Sequence, residues 1–85
     1  MKKVTIYTKE TCPYCTMAKN LLKQKGVTAW NEIRIDLDSS AKEAMIAKSG
    51  RMTVPQIFIG ETHVGGFDDL AELNRSGKLD TILAD

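Results

Sequence analysis

From Lys3 to Thr8 the chain reads KVTIYT, β-branched and aromatic, with Val4 and Ile6 alternating against polar neighbours. A period of two predicts a strand. After a short loop the period changes. From Pro13 to about Lys25 the residues Cys15, Ala18, Leu21 and Leu22 share one helical face, and Gly26 stands where a helix-ending glycine belongs. Alternation returns through Ile33 and Ile35 within Ala29–Asp36, which reads as a second strand. Strand, helix and strand in this order predict a right-handed unit with parallel strands.

The second half is punctuated differently. Ser40-Ala41-Lys42-Glu43 has the S-x-x-E form of a capping box and predicts a helix to Ser49, closed by Gly50. Its apolar face (Ala41, Ala44, Met45) is less regular, because Ile46 falls off it. Pro55 excludes helix. Gln56–Ile59 and Thr62–Val64 then read as two strands, and Gly60-Glu61 between them suits a tight type II′ hairpin turn. Gly65-Gly66 ends the hairpin. Leu70 and Leu73 mark a third helix stopping near Gly77, and Leu79, Ile82 and Leu83 a short final helical turn. The order βαβ-α-ββ-α predicts an α/β architecture, a mixed sheet with helices packed on it.

Length and composition narrow the function classes. Eighty-five residues fit one domain, 1–85, with a modest core, and 42% hydrophobic against 27% charged residues is a globular balance. A net charge of +1 gives no general attraction to nucleic acid or to an anionic membrane. No apolar run is long enough to span a bilayer, and the two lysines near the N-terminus have no apolar stretch behind them. The cytoplasm is therefore the expected compartment. Thiols are kept reduced there, so a permanent structural disulfide is not expected.

That expectation bears on the only two cysteines, Cys12 and Cys15, in Cys12-Pro13-Tyr14-Cys15. A closed zinc site needs four good ligands, and one histidine, His63, leaves it short. A staple between residues three apart would constrain the unfolded chain little. A dithiol cycling to a disulfide is the third chemistry, and C-x-x-C beside a βαβ pattern favours it. Proline prefers the first helical position, which puts Cys12 at the N-cap. Its sulfur then faces the unpaired N–H groups of the first turn, including that of Cys15. Helix N-termini lower a cysteine pKa from about 8.5 to roughly 3.5–7.5. Cys12 is thus the expected nucleophile and Cys15, inside the helix, the thiol that resolves the mixed disulfide.

Further along, Gly65-Gly66-Phe67-Asp68-Asp69 joins a strand end to a helix start. The glycines permit close backbone approach, the helix N-terminus suits a carboxylate, and the acids suit an ammonium or cap the helix. Lys9 and Arg51 suit a second carboxylate. A ligand with an amino-acid head, a central thiol and a carboxylate tail fits all three regions, and glutathione has that form. Thr53-Val54-Pro55, taken alone, reads as the start of an edge strand. His63 reads as a surface or edge residue, Trp30 as a packing residue, and Met17, Met45 and Met52 as gap fillers. Lys19, Lys23 and Lys25 read as the wet face of the first helix.

These motifs together, in order and at spacing, resemble the glutaredoxins of the bacterial dithiol type over essentially the whole chain. The resemblance implies a thioredoxin fold with a four-stranded mixed sheet of order 2-1-3-4 and a cis Pro55 opposite the cysteines. It implies that Cys12 and Cys15 are catalytic, that Lys9 and Arg51 meet the glycyl carboxylate of glutathione, and that Tyr14 borders the groove. Val54 would pair its backbone with the glutathione cysteine, with Thr53 and Pro55 shaping the turn. Gly66, Phe67 and Asp68 would hold the γ-glutamyl end. Many dithiol members carry a third cysteine where Phe67 stands.

The implied activity is glutathione-dependent reduction of protein–glutathione mixed disulfides and of protein disulfides. Glutathione is a co-substrate, no metal is expected, the protein is monomeric, and ribonucleotide reductase and glutathionylated proteins are family-level clients. Two alternatives share the fold. One is a redoxin recycled by thioredoxin reductase, against which the glycine–aspartate segment and Lys9 argue. The other is a carrier of an iron–sulfur cluster ligated by Cys12 and glutathione, whose best-known members resemble CGFS where this chain has Cys12-Pro13-Tyr14-Cys15.

Overall fold

The computed structural model describes residues 1–85. The elements in chain order are β1 (Val4–Thr8), α1 (Pro13–Gln24), β2 (Asn31–Arg34), α2 (Ser39–Ser49), β3 (Gln56–Ile59), β4 (Thr62–Gly65), α3 (Phe67–Arg75) and α4 (Lys78–Leu83). One sheet holds all four strands in the order β2-β1-β3-β4. β1 runs parallel to β2 and antiparallel to β3, and β3 pairs antiparallel with β4. This is the mixed α/β sheet expected, with the βαβ unit at one edge and the hairpin at the other.

The two sheet faces are covered unequally. Val4, Ile6, Ile57 and Ile59 meet Ala18 and Leu22 of α1, Leu70 of α3, and Leu79 and Leu83 of α4 in one core that also includes Val27. On the other side α2 buries only Met45. The irregular apolar face of that helix is the cause. Of the three methionines read as gap fillers, Met45 is one, whereas Met17 and Met52 are 45% and 68% exposed.

Three local expectations shift. β2 is shorter than Ala29–Asp36 because only four residues pair with β1 at the sheet edge. The helix α2 begins one residue before Ser40, and its cap is Asp38, whose carboxylate accepts from the N–H of Ser40 at 2.9 Å. Both side chains are good caps, and the β-region backbone at Asp38 decides between them. The hairpin turns on Gly60 at φ 59° as expected and sets Phe58 opposite His63, but a bulge then skips Val64 and β4 runs on to Gly65. The lysines of α1 are not simply wet. Lys19 pairs with Glu32 at 3.0 Å, Lys25 with Asp80 at 2.8 Å, and Lys23 lies over the Trp30 ring. No helix is long and apolar enough to cross a membrane.

Candidate active site

The loop from β1 to α1 aims Cys12. Thr8, buried at the end of β1, donates to Glu32 Oε2 at 3.0 Å. Burial opposes the charge of Glu32, but hydrogen bonds from Lys19, Trp30 and Thr8 outweigh it and hold the carboxyl below its usual range. Asp36 accepts the Glu10 N–H at 3.2 Å and two bonds from Arg34, the latter chiefly lowering its pKa. This anchors the loop to the end of β2. Thr11 follows at φ 53°, a left-handed conformation that a β-branched residue rarely adopts, directly before the reactive residue.

Cys12 is the N-cap of α1, with Pro13 at the first helical position. Its Sγ accepts the Cys15 N–H at 3.2 Å. The two cysteines are joined as a disulfide across a Cα–Cα separation of 5.2 Å, a spacing at which the pair can close and reopen. Cys12 is half-buried while Cys15 is 2% exposed. Only Cys12 can be reached by an incoming sulfur. The same sulfur lies 3.9 Å from the Val54 carbonyl oxygen, and the Val54–Pro55 bond is cis.

Thr53 and Val54 form a ridge between two open cavities. One, of about 280 Å³, is lined by Tyr14, Arg51, Thr53, Val54, Pro55, Gly66, Phe67, Asp68 and Asp69. The other, of about 420 Å³, has Lys9 and Lys42 on its walls with Ile35, Asp36 and Met52, and shares Thr53 and Val54. The structure thus gathers eight of the expected groove residues on one side and places Lys9 across the ridge. Arg51 stands on the acidic side, apart from Lys9, paired with Asp69 at 2.9 Å.

Asp69 is the brace of this end. It accepts the Gly66 N–H at 2.9 Å, capping α3 from its third position. That bond and then the Arg51 bond keep its carboxyl below the usual range. Asp68, beside it, is exposed on the cavity wall. The N–H groups of Phe67 and Asp68, at the first two helical positions, have no partner within the helix. They offer donors to a carboxylate. The Tyr14 and Phe67 rings face each other at 6.3 Å over the cavity.

Lys42 was not singled out from sequence. It sits inside a capping-box pattern, and only the packing of α2 shows which wall it joins. For Asp69 the signal was present in the paired acids, but not which of the two turns inward. Because its pKa is lowered on folding, Asp69 stabilises the fold above the ordinary carboxylate range, and that contribution is lost as pH falls from about 4 downward. Asp69→Asn should therefore show a shallower loss of urea stability between neutral and acid pH than the parent chain. An unchanged slope would count against the brace.

Comparison with known proteins agrees with this geometry. A glutaredoxin family model matches residues 4–64. Glutaredoxin 3 of Escherichia coli is 55% identical over 83 residues, covering 98% of this chain and 99% of that protein. A buckwheat glutaredoxin–glutathione complex superposes with a TM-score of 0.85 at 34% identity, over 96% of this chain and 76% of that one. Glutaredoxin from Brucella melitensis gives 0.84 at 51% identity, over 98% and 89%. A half-buried N-cap cysteine, a buried partner three residues on and a near full-length match at this identity place the chain in the glutaredoxin family, thiol–disulfide oxidoreductases that depend on glutathione.

Proposed function

We propose that glutathione lies across the Thr53–Val54 ridge, with its sulfur beside Cys12. The observation that carries this reading is the pair of unlike cavities meeting at a ridge 3.9 Å from the reactive sulfur. The γ-glutamyl carboxylate meets the N–H groups of Phe67 and Asp68, and its ammonium meets Asp68. Gly66 allows the backbone to come close. The Val54 backbone pairs with the cysteinyl residue, while Thr53 and Pro55 set the turn and Tyr14 borders the groove. The glycyl carboxylate extends toward Lys9 and Lys42. Arg51, held by Asp69, serves the acidic end, a different station from the glycyl one that family resemblance suggests.

In the reduced protein the Cys12 thiolate attacks the glutathione sulfur of a client–glutathione disulfide. The client leaves as a thiol, and Cys12 carries the glutathionyl group. A second glutathione thiolate attacks that disulfide at its glutathione sulfur, releasing Cys12 and forming oxidised glutathione. With a protein disulfide, Cys12 attacks first, and Cys15 then displaces the client to give the Cys12–Cys15 disulfide seen here. Two glutathiones return that pair to the dithiol. The clients are glutathionylated and disulfide-bonded proteins, with ribonucleotide reductase among those the family suggests. The protein works as a monomer in a reducing cytoplasm.

The test is turnover of a glutathionylated peptide with glutathione, glutathione reductase and NADPH. Activity is expected, and Lys9→Ala with Lys42→Ala should raise the KM for glutathione about five- to tenfold while the wild-type KM climbs with salt. No turnover, with the disulfide instead reduced by thioredoxin reductase, would place the chain with the glutathione-independent redoxins.

A further inference from the structure

Gln56 opens β3 directly after Pro55 and is completely buried. A buried amide must find partners inside the protein. On one side its Nε2 donates to Thr53 Oγ1 at 3.3 Å. On the other its Oε1 lies 2.8 Å from His63 Nε2. A carboxamide oxygen only accepts, so His63 donates from Nε2. His63 stands on the edge strand β4, as its sequence reading has it, but it is half-buried and bonded to Gln56. On that strand it pairs with Phe58 in the regular hairpin register, ahead of the bulge that skips Val64. Its ring packs on Phe58 at 4.9 Å, and Phe58 in turn meets the buried Tyr7 edge-on at 5.9 Å. A continuous set of contacts runs from β1 through Phe58, His63 and Gln56 to the Thr53 hydroxyl.

We propose that Gln56 and His63 are positioning residues for the redox reaction, holding the Thr53–Val54 ridge in register with Cys12 through the Thr53 hydroxyl. Neither lines the groove, so neither touches the substrate. The segment they hold needs a tether. Arg51 to Pro55 belongs to no helix or strand, and Thr53 is exposed. Its upstream end is fixed where the Arg51 N–H donates to Ser49 Oγ at 3.0 Å. Its downstream end is fixed by the Gln56 bracket. Without that bracket, substrate binding must order the ridge itself, and the loss falls on binding before it falls on chemistry. The inference rests on the reading that the ridge pairs with the glutathionyl group.

The experiment compares Gln56→Met, which keeps the shape and drops both bonds, with His63→Phe, which keeps a ring on Phe58 and drops the donor. His63→Gln restores a donor. Each is assayed with the glutathionylated peptide, alone and with Thr53→Val, beside thermal melts and the pH profile of Cys12 alkylation. In both bond-deleting variants the KM for the peptide should rise about three- to tenfold, the scale of one or two hydrogen bonds. Expected alongside are a kcat and an alkylation profile close to wild type. His63→Gln should return KM to within about twofold, and neither bond-deleting change should add to Thr53→Val. A wild-type KM in His63→Phe, or effects that multiply with Thr53→Val, would overturn the proposal, whatever the melts show. If Gln56→Met does not fold, His63→Phe on the edge strand decides alone. An inactive wild type would overturn the glutathione reading and this inference together, whereas an active wild type with unmoved variants removes only the inference.

Discussion

Cys12→Ser is expected to abolish both disulfide activities, by about a thousandfold or more, while leaving the fold intact. The separation is possible because of where Cys12 sits. Its structural duty is to accept the Cys15 N–H at the start of α1, and a serine hydroxyl performs that duty at least as well. Only the nucleophile is lost. Cys15→Ser should behave differently. It keeps the attack by Cys12 and the second glutathione step, so the glutathionylated peptide is still turned over, within about tenfold of wild type. It cannot close the intramolecular disulfide, so reduction of a protein disulfide stops at the mixed species. Its position is 2% exposed, and a buried hydroxyl there costs about 1–3 kcal/mol, a lowered Tm that must be recorded beside the kinetics. Peptide turnover by Cys12→Ser within tenfold of wild type would remove Cys12 from the reaction. Equal loss in both variants would make the second thiol part of the glutathione step.

Gly65→Ala is expected to be the most destabilising conservative change near the groove, by about 3 kcal/mol in urea titration. Two costs coincide. Gly65 has φ 116°, a region that side chains rarely enter, and a Cβ there would collide with the Asp69 carboxylate. If Asp69 moves, Gly66 loses its cap and Arg51 its partner, so the acidic end of the groove is disturbed as well. Gly26→Ala is the control. Its φ is 88°, but nothing lies within 4 Å of the added carbon, so only the conformational cost of about 1–2 kcal/mol remains. Equal losses at the two positions would show that the Asp69 contact carries no weight.

What the sequence disclosed follows from how local each signal is. Pro13 after Cys12 fixes a helix start and the nucleophile with it, because a missing N–H and a preset φ need no tertiary partner. The period change from KVTIYT to the α1 face gave the βαβ unit for the same reason. The paired acids and glycines marked the start of α3, but which acid caps it depends on a side-chain path back to Gly66 that only the folded turn defines. Arg51 and Lys9 were grouped by charge alone. Lys9 lies in the loop after β1 and Arg51 in the segment before β3, and only the folded arrangement of the two loops puts them on opposite sides of the ridge. Gln56 and His63 were missed because their bond runs from side chain to side chain across the β3–β4 hairpin, and alternation marks the face a residue takes, not the side chain it reaches. The cap of α2 went astray where two acceptable residues stood two apart and the chain used the earlier one.

The unequal cover on the two faces of the sheet has a consequence for how the protein breathes. Local opening follows the weakest burial, and α2 is tied down by little beyond Met45, while α1 is sewn into the main core. Opening of α2 would carry Lys42 and the start of the Arg51–Pro55 segment away from the groove, yet leave the N-terminus of α1 and its sulfur where they are. The Lys42 wall of the cavity and the reactive thiol therefore belong to cooperative units of different stability. On the proposed mode of binding, opening of α2 would loosen the hold on the glycyl end without dismantling the part that does the chemistry.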